Sequence, residues 1–179
     1  MQRITGYGPL VADPDRVFDL PEGFSYRILA RKGDRMDDGF LVPAAADGMA
    51  AFASGDGRIA LICNHELSSD SAEGPFGSQN ERLDNRFHRF LYDFGRGQVP
   101  HQGGTTTILY NPRTREKELQ YLSLAGTCRN CAGGPTPWNS WITCEETNET
   151  AVGTNEKDHG YNFEVPVSTR MAPADPIPL

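Results

Sequence analysis

"GMAAFASGDGRIALICN" (Gly48–Asn64) consists of two apolar-rich runs joined by Gly55-Asp56-Gly57. Such a link between two strand-like runs is a hairpin signal, because glycine reaches the positive φ that tight connections demand. The pattern recurs outward from this point. "GTTTILY" (Gly104–Tyr110) and "KELQYLSL" (Lys117–Leu124) flank the turn "NPRTRE" (Asn111–Glu116). "FSYRILA" (Phe24–Ala30) alternates, and "SWITCEE" (Ser140–Glu146) and "YNFEV" (Tyr161–Val165) complete about seven strand segments. Leu83, Phe87, Phe90, Leu91 and Phe94 follow helical spacing, which predicts one short helix whose apolar stripe packs into the core. With 19 glycines and 13 prolines, long helices are not expected. The expected fold is all-β, built of antiparallel hairpins, with one short helix and long loops.

The second half of the hairpin has a partner elsewhere in the chain. "DGRIALICNHELS" (Asp56–Ser68) and "PWNSWITCEETN" (Pro137–Asn148) each place a turn, a half-apolar strand and an acid-bearing end. Aligned at the strand ends, Glu66 falls on Glu146 and Cys63 on Thr143. Repeated strand-then-acid units suggest radial repetition, as in a β-propeller. A blade needs four strands, so the chain is expected to hold a partial propeller of about two blades. A small open sandwich is the competing architecture.

Twenty-four acidic against 17 basic side chains give a net charge of -7. That excludes broad nucleic-acid affinity, which needs a basic face, and suits the binding of cations. No apolar run approaches the roughly 20 residues of a membrane span. "MQRITGYGPLVADPD" (Met1–Asp15) has no apolar stretch after its early arginine, so no signal peptide is visible. The chain therefore stays in the cytosol, or its export signal lies outside this sequence.

"AGTCRNCAGGPTPWNSWITCEETNE" (Ala125–Glu149) concentrates three of the four cysteines, both tryptophans and three glutamates. A zinc ribbon needs a second cysteine pair or two histidines, and Cys144 has no neighbour to complete one. A redox CxxC opens a helix, but Gly133-Gly134-Pro135 follows Cys131. The four cysteines allow three disulfide pairings, among which the sequence does not choose. Asn130–Gly134 is read as a tight turn presenting the Cys131 thiolate, a soft ligand suited to iron, copper or zinc. Glu145 and Glu146 offer hard oxygens that suit calcium, and Asn64, His65 and Glu66 supply a second polar set. Together they suggest a transition metal beside calcium. The plainer alternative is a small buried Cys131 with solvated glutamates.

Other residues carry plainer expectations. Cys128 and Cys144 are taken as small buried side chains, and Trp138 and Trp141 as core aromatics walling the site. His65 is a ligand or a hydrogen-bonding neighbour of one, and His159 a turn histidine. His88 and His101 are expected to be exposed. Asn148, Glu149, Asn155 and Asp158 form an oxygen-rich loop without EF-hand spacing.

Seven segments resemble the PhoX family of alkaline phosphatases: "GYGPL", "DLPEGFSYRIL", "DGMAAF", "CNHEL", "GGTTTILYNPRT", "LAGTCRNCAGGPTPWNSWITCEE" and "HGYNFEV". They run in order from Gly6 to Val165. The resemblance implies a β-propeller phosphomonoesterase, exported by the twin-arginine route, with an iron–calcium cluster in its central channel. It implies Cys131 as an iron ligand and Glu146, Glu145 and Glu66 as metal ligands, with Asn130 and Asn64 contacting metal or phosphate. Metal cations would neutralise the phosphate oxygens and activate the attacking oxygen, so no serine nucleophile is needed. The family's domain is longer. Residues 1–179 are then a single domain, the N-terminal part of the propeller, truncated at the C-terminus. Two readings follow. One is a PhoX-like metal-dependent phosphatase acting on small phosphate monoesters. The other is a non-catalytic propeller fragment serving as a binding or assembly module, for which self-association through open strand edges is one outcome.

Overall fold

The computed structural model describes residues 6–169 and 178–179. Among them the chain is all-β, as expected, with strands in three antiparallel sheets. A small pair joins β1 (Leu10–Val11) to β2 (Leu20–Pro21). The main sheet is a meander in chain order: β3 (Ala46–Ala53), β4 (Ile59–His65), β5 (Gly103–Asn111) and β6 (Glu116–Thr127). The third sheet orders β7 (Asn130–Pro135), β8 (Ser140–Glu145) and β9 (Asn162–Pro166). The two repeat-like segments become β4 and β8, both inner strands flanked on each side. Among the described residues no helix is long and apolar enough to cross a membrane.

Three expectations change. Phe24–Ala30 is not a strand; it has no regular secondary structure, and Phe24 is exposed. Alternation in the sequence supplies no partner strand, and the Tyr26 hydroxyl instead donates to Asp13 Oδ2 at 2.6 Å. Asn130–Gly134 is not a tight turn but most of β7, paired along β8. Gly133 serves cross-strand approach, since a Cβ there would collide with the Ile142 carbonyl. The helical stripe yields only 3-10 turns, over Asn85–Phe90 and Gly95–Gly97. Leu91 and Phe94 are nevertheless buried, with Leu83 and Phe87 packed against the same cluster, so the core role holds. The helix stops because Leu91 turns extended and bridges to Ala125 beside β6.

One core lies between the two larger sheets. Phe52, Ile62, Leu109 and Tyr121 meet Trp141, Phe163 and Val165. A second core covers the opposite face of β6 with Met36, Phe40, Phe76, Leu91 and Phe94. Strand β6 serves both through a bulge. Thr105 pairs with Leu124 and Thr106 with Leu122, leaving Ser123 as the extra residue. In a regular strand Leu122 and Leu124 would share a face; at the bulge they enter different cores. The Ser123 hydroxyl is held by the Thr105 and Thr107 hydroxyls at 2.8 and 2.9 Å. The outer edge of β6 is capped: the Gln120 and Leu122 amides donate to Asp37 and Asp38 at 2.7 and 2.6 Å. Those carboxylates occupy donors that an open edge would offer to another chain.

The two sheets are joined at close quarters where β3 meets β7. Asn64 Nδ2 donates to the Ala132 carbonyl at 3.0 Å, and the Trp141 indole donates to Asn64 Oδ1 at 2.8 Å. Opposite them, a Cβ on Gly48 would stand 2.7 Å from the Cys131 carbonyl and 3.3 Å from Ala132 Cα. Only a residue without a side chain allows this approach. Gly48→Ala is expected to lower stability by about 1–3 kcal/mol through overpacking. Met49→Ala, at an exposed neighbouring position, should change it by less than about 0.5 kcal/mol. Urea titration of both variants checks the pair; equal effects would contradict the close docking of β3 on β7.

Candidate functional site

The equivalent acid-bearing ends of β4 and β8 meet at one cation. The Glu66 amide donates to Ala45 O and the Glu146 amide to Arg129 O, each at 2.9 Å. Arg129 Nη2 then lies 3.3 Å from Glu66 Oε1 and 3.4 Å from Glu146 Oε2. Arg129 sits in the short β6–β7 connection with a left-handed backbone, φ 51°, fixed by its amide on Leu67 O at 2.8 Å. Cys131 follows on β7, half-buried, with Sγ 3.8 Å from the Cys144 carbonyl. The structure thus brings Glu66 and Glu146 to one group, beside the strand that carries Cys131. Sequence reasoning did not single out Arg129.

The asparagines expected at substrate are engaged within the fold. Asn130 Oδ1 accepts the Thr127 hydroxyl at 2.6 Å and its Nδ2 donates to Thr143 at 3.1 Å. Asn64 joins the two sheets as described above. His65 places its ring nitrogens 2.9 Å from Ala44 O and 2.9 Å from Thr106 Oγ1, and burial depresses its pKa. Of its two expected roles, hydrogen bonding is the one this geometry displays.

Glu145 is the most heavily engaged carboxylate of the expected set. Oε1 accepts the Cys128 amide at 2.7 Å and faces His159 Nδ1 at 2.8 Å. Oε2 accepts the amides of Gly160 and Tyr161 at 2.7 and 3.2 Å. The other face of His159 meets Asp93 Oδ2 at 3.3 Å, and all three side chains are fully buried. Asp93 also accepts the amides of Gly95, Glu156 and Lys157. Burial opposes charge on both groups, yet the hydrogen bonds prevail. Asp93 is held down at about 2, and the Asp93 and Glu145 carboxylates raise His159 to about 9. An imidazolium between two carboxylates results.

Several expectations are corrected here. His159 is the hub of a buried charge network, and His101 is fully buried rather than exposed. Trp138 is 69% exposed, and its indole donates to Glu164 at 2.6 Å. Trp141 and Cys128 are buried as expected, and His88 is exposed. Cys144 is only half-buried, and all four cysteines are free thiols. Two compact groups of possible metal donors occur among the described residues: Asp93, His101 and His159, and His101, Cys128 and Glu149. Neither includes Cys131, Glu66, Glu145 or Glu146.

Compared with known protein families, residues 5–179 match the model described as alkaline phosphatase PhoX. No curated protein and no solved structure matches the chain.

The charge network makes stability depend on pH in a defined way. The pKa of His159 is raised above the ordinary 6.5, so its contribution is complete below pH 6.5 and is lost as pH rises through about 9. Asp93 is depressed, so its contribution holds above the ordinary 3.8 and is lost as pH falls through about 2. The melting temperature should therefore decline between pH 6.5 and 9. His159→Gln should be less stable at pH 6 by about 3–5 kcal/mol, because it strands two buried carboxylates. It should also lack the alkaline decline. A wild-type melting temperature that stays flat over this range would contradict the buried imidazolium.

Proposed function

The chain belongs to the alkaline phosphatase PhoX family, and on that premise we propose that it hydrolyses small phosphate monoesters using iron and calcium. The metals would be held by Cys131, Glu66 and Glu146, with Glu145 behind them. The observation that carries this reading is the shared contact of Glu66 and Glu146 with Arg129. Two carboxylates from equivalent strand ends converge on one positive charge, beside a strand bearing a soft thiol. That donor set fits the pair of metals: sulfur suits iron and carboxylate oxygen suits calcium. Bound there, the cations would supply the positive field that an acidic protein needs to accept an anionic ester.

The chain's own residues then divide the work. Arg129 offers a planar fork suited to a phosphoryl group once its carboxylates turn to metal. Glu145, with four hydrogen bonds, positions the end of β8 and so aims Glu146. Asn64 and Asn130 seat β7, and contact of either with phosphate requires exchange of one existing bond. We read the β3–β6 meander as one propeller blade and β7–β9 as part of the next.

A second reading, a non-catalytic propeller module for binding or assembly, is favoured by one observation. Asn64, Asn130 and Glu145 already have their polar atoms on protein partners.

Elemental mass spectrometry of the chain after gel filtration, paired with p-nitrophenyl phosphate hydrolysis, separates the two. The phosphatase reading expects near-stoichiometric iron with calcium, and turnover. Cys131→Ala should lose the iron and lower turnover by about 100-fold or more. Metal-free, inactive protein would favour the module, and iron retained in Cys131→Ala would defeat the ligand assignment.

A further inference from the structure

The loop from Thr147 to Gly160 returns against the β6–β7 connection and closes a second cluster there. His101 stands just before β5, Cys128 just after β6, and Glu149 in the loop. One ring nitrogen, the thiol sulfur and one carboxylate oxygen lie within 4.8 Å of one another. Cys128 Sγ is 3.5 Å from Glu149 Oε1, and His101 Nε2 is 4.0 Å from Glu149 Oε2. Ligands around a tetrahedral zinc, with bonds of roughly 2.0–2.3 Å, stand about 3.3–3.8 Å apart. The sulfur–oxygen pair already has that spacing, and the His101 ring stands beside it.

A second observation points the same way. His101 is fully buried, and its Nδ1 has no hydrogen-bond partner. Its Nε2 faces Asn155 Oδ1 at 3.2 Å, while Asn155 Nδ2 donates to Glu149 Oε2 at 3.0 Å. The amide thus presents its oxygen to the ring, which makes Nε2 the donor and leaves Nδ1 with a free lone pair. A buried polar atom without a partner is rare in folded proteins. A metal-binding imidazole commonly has its other nitrogen held by such an oxygen. The neighbouring group of Asp93 and His159 has no such spare capacity, because each is committed to the other and to further partners.

We propose that His101, Cys128 and Glu149 form a structural site for a zinc-like divalent cation, separate from Cys131 and independent of the phosphatase reading. Nitrogen, thiolate sulfur and carboxylate oxygen are the donors zinc takes, and the two anionic ligands balance its charge. Binding forms a metal–sulfur bond, and the Cys128 proton passes to solvent with no change of oxidation state. The ion would tie the Thr147–Gly160 loop to β6. That loop also carries the Gly160 and Tyr161 amides that hold Glu145.

The test uses the full chain, stripped with chelator and titrated with Co²⁺ as a spectroscopic probe. One equivalent should produce a thiolate-to-cobalt charge-transfer band with the intense visible bands of a tetrahedral ion, and Zn²⁺ should displace it. The band should persist in Cys131→Ala and vanish in Cys128→Ala. Glu149→Gln, at a side chain 41% exposed, spares the core and should weaken cobalt binding by about tenfold or more. Absence of the band in the wild type, or its survival in Cys128→Ala, overturns the site. Should Cys128→Ala fail to fold, Glu149→Gln decides, and unchanged cobalt affinity there overturns it equally.

Discussion

A carboxylate shut away from water must be paired, and in this fold Glu145 is the carboxylate that most of the surroundings serve. Its oxygens collect the amide at the end of β6, two amides from the loop before β9, and an imidazolium braced by Asp93. Leaving such a group unpaired would cost several kcal/mol, more than most single contacts contribute. The partners come from two parts of the chain, the end of β6 and residues 159–161 before β9, so their convergence fixes how those parts sit against β8. The neighbouring Glu146 inherits its position from this arrangement, and so does the β6–β7 connection with Arg129. The candidate site is thus held from behind by electrostatics rather than by its own contacts.

How much of this was legible in the sequence depended on whether the signal was local. The hairpin of β3 and β4, the pairing of β5 with β6, and strands β8 and β9 announce themselves by alternation and turn residues. Strand β7 does not, because Gly133-Gly134-Pro135 has the composition of a turn; Gly133 answers a neighbouring carbonyl that no one-dimensional pattern contains. Phe24–Ala30 shows the converse, an alternating sequence with no strand beside it. The spacing of Leu83 to Phe94 correctly predicted burial and wrongly predicted regular helix, since apolar period constrains which side chains point inward more than it constrains the backbone.

The site divides in the same way. The alignment of Glu66 with Glu146 was visible as a repeat, and the structure realises it as convergence on Arg129. The arginine itself carried a faint signal, a lone cation between two acid-bearing strand ends; in the fold it stands immediately after a buried stretch ends at Cys128. Asp93 and His101 gave none, and Glu149 only its place in an oxygen-rich loop. Polar residues in loops read as solvated, and only the three-dimensional fold shows that Asp93 and His101 are covered. Burial of histidine is decided by distant chain segments, which is why His101 and His159 were both misread.

The bulge at Ser123 has a consequence of another kind. Because the bulge sends Leu122 and Leu124 to opposite cores, β6 carries one residue more than its pairing with β5 needs at this point. Conservative exchanges along the strand leave each side chain on its own face. Removing Ser123 would leave the two leucines adjacent and still on opposite faces, so the bulge can absorb the loss of a residue that a regular strand could not. The hydroxyls of Thr105 and Thr107 that hold Ser123 mark where that slack is stored.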